Sequence, residues 1–224
     1  MAGSREKARA LVMAGHVRVN GMRADKPGRL VPLSASITME ETSRPYVSRG
    51  GLKLEAALKH FNVDVEGQTL LDVGASTGGF TDCLLQRGAG RIFAVDVGYG
   101  QLDWKLRRDD RVKVLEKTNI RYLKPEDIEG PMDGAVIDVS FISLRLVLPP
   151  VSDLLKPHAF IIALIKPQFE VKKGQVGKGG VIRDPLLHRQ IVDRICIFSE
   201  ALEWSVMGQI PSPLFGPKGN REFL

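Results

Sequence analysis

The sequence holds only two cysteines, Cys83 and Cys196, and they form no C-x-x-C pair. Each falls in an apolar helical pattern, which fits reduced, buried thiols in a cytoplasmic protein better than a disulfide scaffold. Metal-ligand spacing is absent too. The four histidines (His16, His60, His158, His188) are scattered, so no metal site is expected. The longest apolar run, Ala159 to Ile165, is seven residues, against the roughly twenty that a bilayer span needs. No secretion signal is expected either. Met1 leads into Ser4-Arg5-Glu6-Lys7, which is helix-start chemistry and not an apolar stretch.

What is present is enough apolar residue for a core, 43% of 224, and an excess of positive charge. The formal net charge is +6, which favours a polyanionic partner. Its distribution is uneven. Residues 1–45 carry eight Lys/Arg against four Asp/Glu, while residues 46–224 carry 24 against 22. A solvated basic face is the plain alternative to a nucleic-acid surface.

The chain reads as a small basic module, a linker and an α/β domain. Ser4 is a plausible N-cap for a helix with Ala8, Leu11 and Val12 on one stripe, ended by Gly15. Asn20-Gly21 between Val17-Arg18-Val19 and Met22-Arg23-Ala24 signals a hairpin, Val17 and Val19 inward and Arg18 outward. Arg5, Arg9, Arg18 and Arg23 then form a basic surface. Residues 40–51 read as a hinge, and a helix is expected over 52–61.

Beyond it, candidate strands at 69–74, 91–97, 112–116, 134–140, 159–166, 204–210 and from 222 alternate with candidate helices at 79–87, 101–108, 144–156 and 185–201. That alternation implies a parallel sheet covered on both faces, with ligands beyond the carboxyl ends of its strands.

Two strand ends there carry a nucleotide-like signature. Leu70-Leu71-Asp72-Val73-Gly74 runs into Ala75-Ser76-Thr77-Gly78-Gly79 and a helix. Glycines at such a turn let a ligand reach the backbone and the helix N-terminus. Asp96 ends the next strand, placed to bind the hydroxyls of an adenosine ribose. Three readings compete. A nicotinamide site wants G-x-G-x-x-G, but Ser76 stands at the second glycine. Gly74 to Gly78 spells the G-x-S-x-G nucleophile elbow, but no histidine is well placed to serve it. An S-adenosylmethionine site also accounts for Asp72, whose carboxylate would receive the cofactor's cationic methionine end.

Asp138 and Lys166 end two further apolar strands. Parallel neighbours would set them side by side, as a functional pair or as a structural ion pair. The stretch Lys172-Lys173-Gly174 to Lys178-Gly179-Gly180 reads either as a phosphate-gripping loop or as plain surface.

These segments resemble the TlyA family, ribosomal RNA 2′-O-methyltransferases often labelled hemolysin A. The markers are Ser48-Arg49-Gly50-Gly51-Leu52-Lys53-Leu54, Leu71 to Phe80, Asp138-Val139-Ser140-Phe141-Ile142-Ser143-Leu144, Lys166-Pro167-Gln168-Phe169-Glu170 and Gly216-Pro217-Lys218-Gly219-Asn220. The resemblance implies a Rossmann-like, mostly parallel α/β sheet of seven strands. That FtsJ-like methyltransferase domain would cover 51–224, after an N-terminally incomplete α+β RNA-binding domain of the αL type at 1–43 and a linker at 44–50. It also implies a catalytic tetrad of Lys53, Asp138, Lys166 and Glu222. The implied cofactor set is Asp72, Gly74, Ser76, Thr77, Gly78, Gly79, Phe80, Asp96, Val97, Asn119 and Asp138, with Arg49 joining the four module arginines in RNA binding. The αL motif normally has a further helix before Ser4, and the last strand is expected to continue past Leu224.

The expected reaction is methyl transfer from S-adenosylmethionine to a ribose 2′-hydroxyl, with ribosomal RNA or ribosomal subunits as partner. Lys166 would act as the base, or as a cation beside the developing alkoxide. Lys53 and partial burial favour its neutral form, while carboxylates favour the charged one. Asp138 and Glu222 would orient the lysines. Asp138-Val139-Ser140-Phe141 lacks the two prolines usual at this strand end in amino-methylating enzymes. The rivals are a membrane-active hemolysin and a non-catalytic ribosome-assembly factor.

Overall fold

A computed structural model describes residues 5–13, 17–24, 26–39, 45–171, 174, 176–177 and 179–224. The chain divides into two compact units, Met1–Arg44 and Pro45–Leu224. Ser4, Gly15, residues 40–44 and the lysines at 172, 173 and 178 lie outside the described residues.

The first unit contains helix α1 (Arg5–Met13) and strands β1 (Val17–Val19), β2 (Met22–Arg23) and β3 (Ile37–Met39) in the antiparallel order β2-β1-β3. Asn20 (φ 50°) and Gly21 (φ 80°) both take left-handed backbone, the geometry of the two-residue turn that matches strand twist. Val17 is buried and Arg18 exposed. β3 was not foreseen. It pairs with β1, from Val17 opposite Met39 to Val19 opposite Ile37, and Asn20 extends that pairing to Ser36: its amide donates to Ser36 O and its Oδ1 accepts from Ser36 N, both at 2.8 Å.

The second unit is built on five parallel strands in the order β6-β5-β4-β7-β8: β4 (Thr69–Val73), β5 (Arg91–Val95), β6 (Val112–Leu115), β7 (Met132–Ile137) and β8 (Leu155–Ala163). Alternate residues serve opposite faces. Leu70, Ile92 and Ala94 pack with α2 (Gly50–His60) and α3 (Gly79–Gln86). Leu71, Phe93 and Val95 pack with α5 (Leu148–Ser152) and α7 (Pro185–Glu200). Burial on both faces is why most of β4, β5 and β7 reads as apolar, while the edge strand β6 keeps the exposed Lys113. Short helices α4 (Trp104–Arg107) and α6 (Pro167–Glu170) complete the unit.

The expected seven strands are corrected to five. Residues 204–209 form no ladder, and the two last positions appear only as isolated antiparallel bridges, Ile165 to Phe223 and Pro211 to Phe223. Phe223 therefore occupies the place of a further strand for a single residue pair on each side, too little to make a strand. The helix expected at 144–156 is corrected as well. It divides into a 3₁₀ turn at Leu144–Leu146 and α5, because Pro149 and Pro150 lack the amide hydrogens an interior helical residue needs and fit only a first turn. The helix expected at 101–108 shortens to α4, whose start is fixed by Asp103, its Oδ1 accepting from Lys105 N.

α2 lies unusually close to the segment that precedes it. A Cβ on Gly51 would sit 2.3–2.6 Å from the ring and Cβ of the buried Tyr46. Alanine favours a helix over glycine by up to about 1 kcal/mol, whereas overpacking of a tight contact costs about 1–3 kcal/mol. Gly51→Ala is therefore expected to lower stability in urea denaturation. A stabilised variant would disprove the close packing of Tyr46.

Candidate active site

A cavity of about 410 Å³ opens at the carboxyl ends of β4 and β7. Its floor is the turn from β4 to α3. Gly74 (φ 84°) lies where a Cβ would come 2.6 Å from the Asp138 carbonyl oxygen, so only glycine lets these two strand ends close up. Gly78 (φ 93°) caps α3 in left-handed backbone. A Cβ on Gly79 would strike Ser48 Oγ at 2.2 Å, so that glycine lets the N-termini of α2 and α3 meet. This contact brings Lys53, on α2, to the cavity wall.

Five charged side chains line the cavity, Arg49, Lys53, Asp138, Lys166 and Glu222, and the last four form two pairs. Lys53 Nζ donates to Glu222 Oε2 at 2.5 Å, and both residues are buried. Lys166 Nζ lies 2.6 Å from Asp138 Oδ1. The same ammonium also donates to Ser140 Oγ at 2.8 Å. Glu222 fits because residue 216 is glycine: a Cβ there would meet Glu222 Oε1 at 2.0 Å. Gly216 N in turn donates to Asn220 O at 2.8 Å, closing the turn that delivers Glu222.

Of the expected cofactor residues, Gly74, Ser76, Thr77, Gly79, Phe80 and Asp138 line the cavity, as does Arg49. Gly78 sits just behind them. Asp96 lies beside the turn and supports it. Its Oδ2 accepts from Ser76 N at 2.8 Å and its Oδ1 from Gly98 N at 2.7 Å. Ser76 itself has φ 48°, so the serine takes the left-handed backbone that glycine takes readily, held by the Asp96 carboxylate. Val97 is exposed, and Asn119 caps the 3₁₀ turn Ile120–Tyr122; neither lines the cavity. Ser48, Ser140, Leu214, Phe215 and Gly216 line it and were not singled out. Ser48, Ser140 and Gly216 each lie in a motif that carries the family resemblance, which is the signal that could have found them; Leu214 and Phe215 have none. Arg5, Arg9, Arg18 and Arg23 are exposed in the first unit, where Arg18 and Arg23 are cross-strand partners.

The donor set fits an adenosyl sulfonium cofactor. The glycine turn leaves backbone open to a ligand, and one buried carboxylate oxygen at this cavity, Glu222 Oε1, has no hydrogen-bond donor. Asp72 lies beneath the turn and off the cavity wall. Thr81 Oγ1 donates to its Oδ2 at 2.5 Å, and its Oδ1 is unsatisfied. Complete burial raises the Asp72 pKa from the ordinary 3.8 to about 7; the Thr81 hydrogen bond opposes that rise and the charge of Asp138 adds to it. The folded state therefore keeps a proton that the unfolded chain loses first. Stability from this group is full below about pH 4 and is lost as pH rises toward and through about 7, by at most ~1.4 kcal/mol per pH unit. Asp72→Asn is expected to flatten that loss. Urea denaturation at pH 5 and pH 8 should show a smaller difference for the variant than for the parent, and equal differences would refute the burial of a carboxylic acid here.

Among the described residues, no helix is long and apolar enough to cross a membrane and no cluster of metal-ligating side chains occurs. The model for the FtsJ-like methyltransferase family matches residues 46–224, and the S4 domain model matches residues 1–37. YqxC of Bacillus subtilis, named as a candidate rRNA methyltransferase, is 51% identical over all of this chain and 80% of its own length. The 16S/23S rRNA (cytidine-2′-O)-methyltransferase TlyA of Mycobacterium tuberculosis is 49% identical over all of this chain and 84% of its own. A solved structure from Streptococcus thermophilus that carries a hemolysin label superposes with a TM-score of 0.82 at 46% identity, over 99% of this chain and 82% of that one. On these likenesses the chain belongs to the FtsJ-like methyltransferase family and carries an S4 domain at its N-terminal end.

Proposed function

We propose that this protein methylates a ribose 2′-hydroxyl of ribosomal RNA in the cytoplasm, with S-adenosylmethionine as donor and a cytidine as target. The observation that carries this reading is the meeting of two lysine–carboxylate pairs, Lys53–Glu222 and Lys166–Asp138, on one cavity above a glycine turn. The likeness to YqxC and to the rRNA (cytidine-2′-O)-methyltransferase TlyA supports the substrate.

When bound, the cofactor supplies an electrophilic methyl group on a sulfonium. Gly74, Ser76, Thr77, Gly79 and Phe80 would hold it, with Asp96 fixing the Ser76 backbone and Asp72 bracing α3 through Thr81. The ribose hydroxyl is a poor nucleophile until its proton leaves. Lys166 Nζ is the group assigned to manage that proton, and Asp138 sets its position. Lys53, tied to Glu222, supplies a second fixed positive charge near the alkoxide that develops. The remainder of the rate comes from holding the hydroxyl in line with the methyl. Arg49 at the rim and Arg5, Arg9, Arg18 and Arg23 on the first unit would bind phosphates, which position RNA without reading its sequence.

Lys166→Ala is expected to bind S-adenosylmethionine normally by calorimetry. It should lose about 10²–10⁴-fold in tritiated methyl transfer to separated ribosomal subunits, the usual worth of a positioned proton-transfer group. Mapping of the label should place it on a ribose. Transfer at the parent rate would remove Lys166 from the chemistry, and label on a base would overturn the 2′-hydroxyl assignment.

A further inference from the structure

The two strand ends that deliver Asp138 and Lys166 are fastened together by a residue outside the cavity. Glu170 is four residues past Lys166, at the end of α6. Its Oε2 accepts from Ser143 Oγ at 2.5 Å and its Oε1 from Leu144 N at 2.8 Å. Ser143 is five residues past Asp138, so one carboxylate spans the turn after β7 and the turn after β8. A second contact runs parallel to it: the Phe141 and Phe169 rings lie 5.0 Å apart at 47°.

Between Asp138 and this fastening, the chain makes a tight turn. Phe141 takes φ 63° and is 91% exposed. A non-glycine residue keeps left-handed backbone only where its surroundings hold it, and burial of the Phe141 side chain does not supply that hold. The turn carries Ser140, whose Oγ receives the hydrogen bond from Lys166 Nζ. Lys166 thus has two polar neighbours, Asp138 and Ser140. Asp138 is fixed by the sheet, its amide donating to Val73 O at 2.9 Å. Ser140 depends on the turn.

We infer that Glu170 is a positioning residue for methyl transfer: by gripping Ser143 and Leu144 it fixes the turn that sets Ser140 Oγ against Lys166 Nζ. Glu170 is not among the residues that line the cavity. Its effect passes through Ser140, and Ser140 acts by choosing the direction of the Lys166 side chain. This rests on the methyltransferase reading above for its effect on rate, but not for its effect on Lys166.

The test has two readouts on the full chain. The first is kinetic. Glu170→Ala should lower turnover on ribosomal subunits by about 10–100-fold, the scale of a displacement near 1 Å at a reacting centre. Its S-adenosylmethionine affinity should stay within about twofold of the parent. Glu170→Gln keeps an acceptor oxygen for Leu144 N and should recover most of the loss. Ser140→Ala should match Glu170→Ala, and the double variant should be no slower than the slower single, because both act along one path. The second readout is the Lys166 Hε–Cε NMR cross-peak of protein without RNA, which should move in Glu170→Ala and stay in place in Glu170→Gln. If Glu170→Ala does not fold, Ser143→Ala removes one of the two bonds and should give the same changes at smaller size. A parent protein that transfers no methyl group would overturn the proposed function while leaving the cross-peak test intact. An unmoved Lys166 cross-peak, or losses that multiply in the double variant, would overturn the role of Glu170.

Discussion

Two ammonium groups are held out of water within one cavity, and each has its own carboxylate. Lys53 and Lys166 are each 9% exposed. An isolated charge so placed costs several kcal/mol, and removing one member of a buried pair leaves that cost uncompensated. The pairing therefore constrains everything around it. Lys53 is held by Glu222, 169 residues away, so the second unit must be folded from α2 to its last residues before either charge is satisfied. Such a pair is weak evidence for net stability. Its value lies in placement: two positive charges with little rotational freedom, facing the space above a glycine turn.

The backbone near the cavity is shaped by the same demand for close approach. Gly74 admits the Asp138 carbonyl, Gly79 admits Ser48 and Gly216 admits the Glu222 carboxylate. Each glycine draws one charged group inward: Asp138 through the strand end, Lys53 through the α2–α3 contact and Glu222 through the turn at 216–220. Lys166 arrives differently. It follows the buried Ile165, whose amide donates to Phe223 O at 2.7 Å and whose carbonyl accepts from Phe223 N at 3.0 Å. The residue after Glu222 thus pairs with the residue before Lys166, and the two lysine–carboxylate pairs share one backbone anchor.

Much of this was legible in the residues, and the reasons differ from place to place. The five strands were readable because both faces of the sheet are buried, which makes most of β4, β5 and β7 apolar. The hairpin at Asn20-Gly21 was readable because few dipeptides accept two left-handed residues. Asp138 and Lys166 stood out as charges ending apolar strands. The meeting of Lys53 with Glu222 was not readable from spacing, since nothing local relates positions 53 and 222, and only likeness to a family suggested it. β3 escaped because its pairing with β1, extended by the Asn20 contact with Ser36, acts across sixteen residues or more. The strand expected at 204–210 failed because alternation of apolar and polar residues shows that a segment can be a strand, not that a partner ladder exists for it. Ser140 escaped because a serine in a turn has a local backbone role as its ordinary explanation.

Charge is divided between the units in a way that suits the proposed reaction. The first 45 residues carry a formal +4 of the total +6, and within them Arg18 and Arg23 are direct cross-strand partners. Arg18 also donates from Nη1 to Gly21 O at 3.1 Å, so its guanidinium braces the hairpin turn. The cavity follows the opposite rule, its two lysines each neutralised by a neighbour. Under the proposed function, RNA would be drawn by the basic unit through phosphates and with little regard to sequence. Arg49 at the cavity is open to a backbone phosphate, whereas a phosphate reaching either lysine would have to displace a carboxylate. A neutral ribose hydroxyl does not have to. Separation of attraction from chemistry thus favours the uncharged part of the nucleotide at the one place where a proton must be moved.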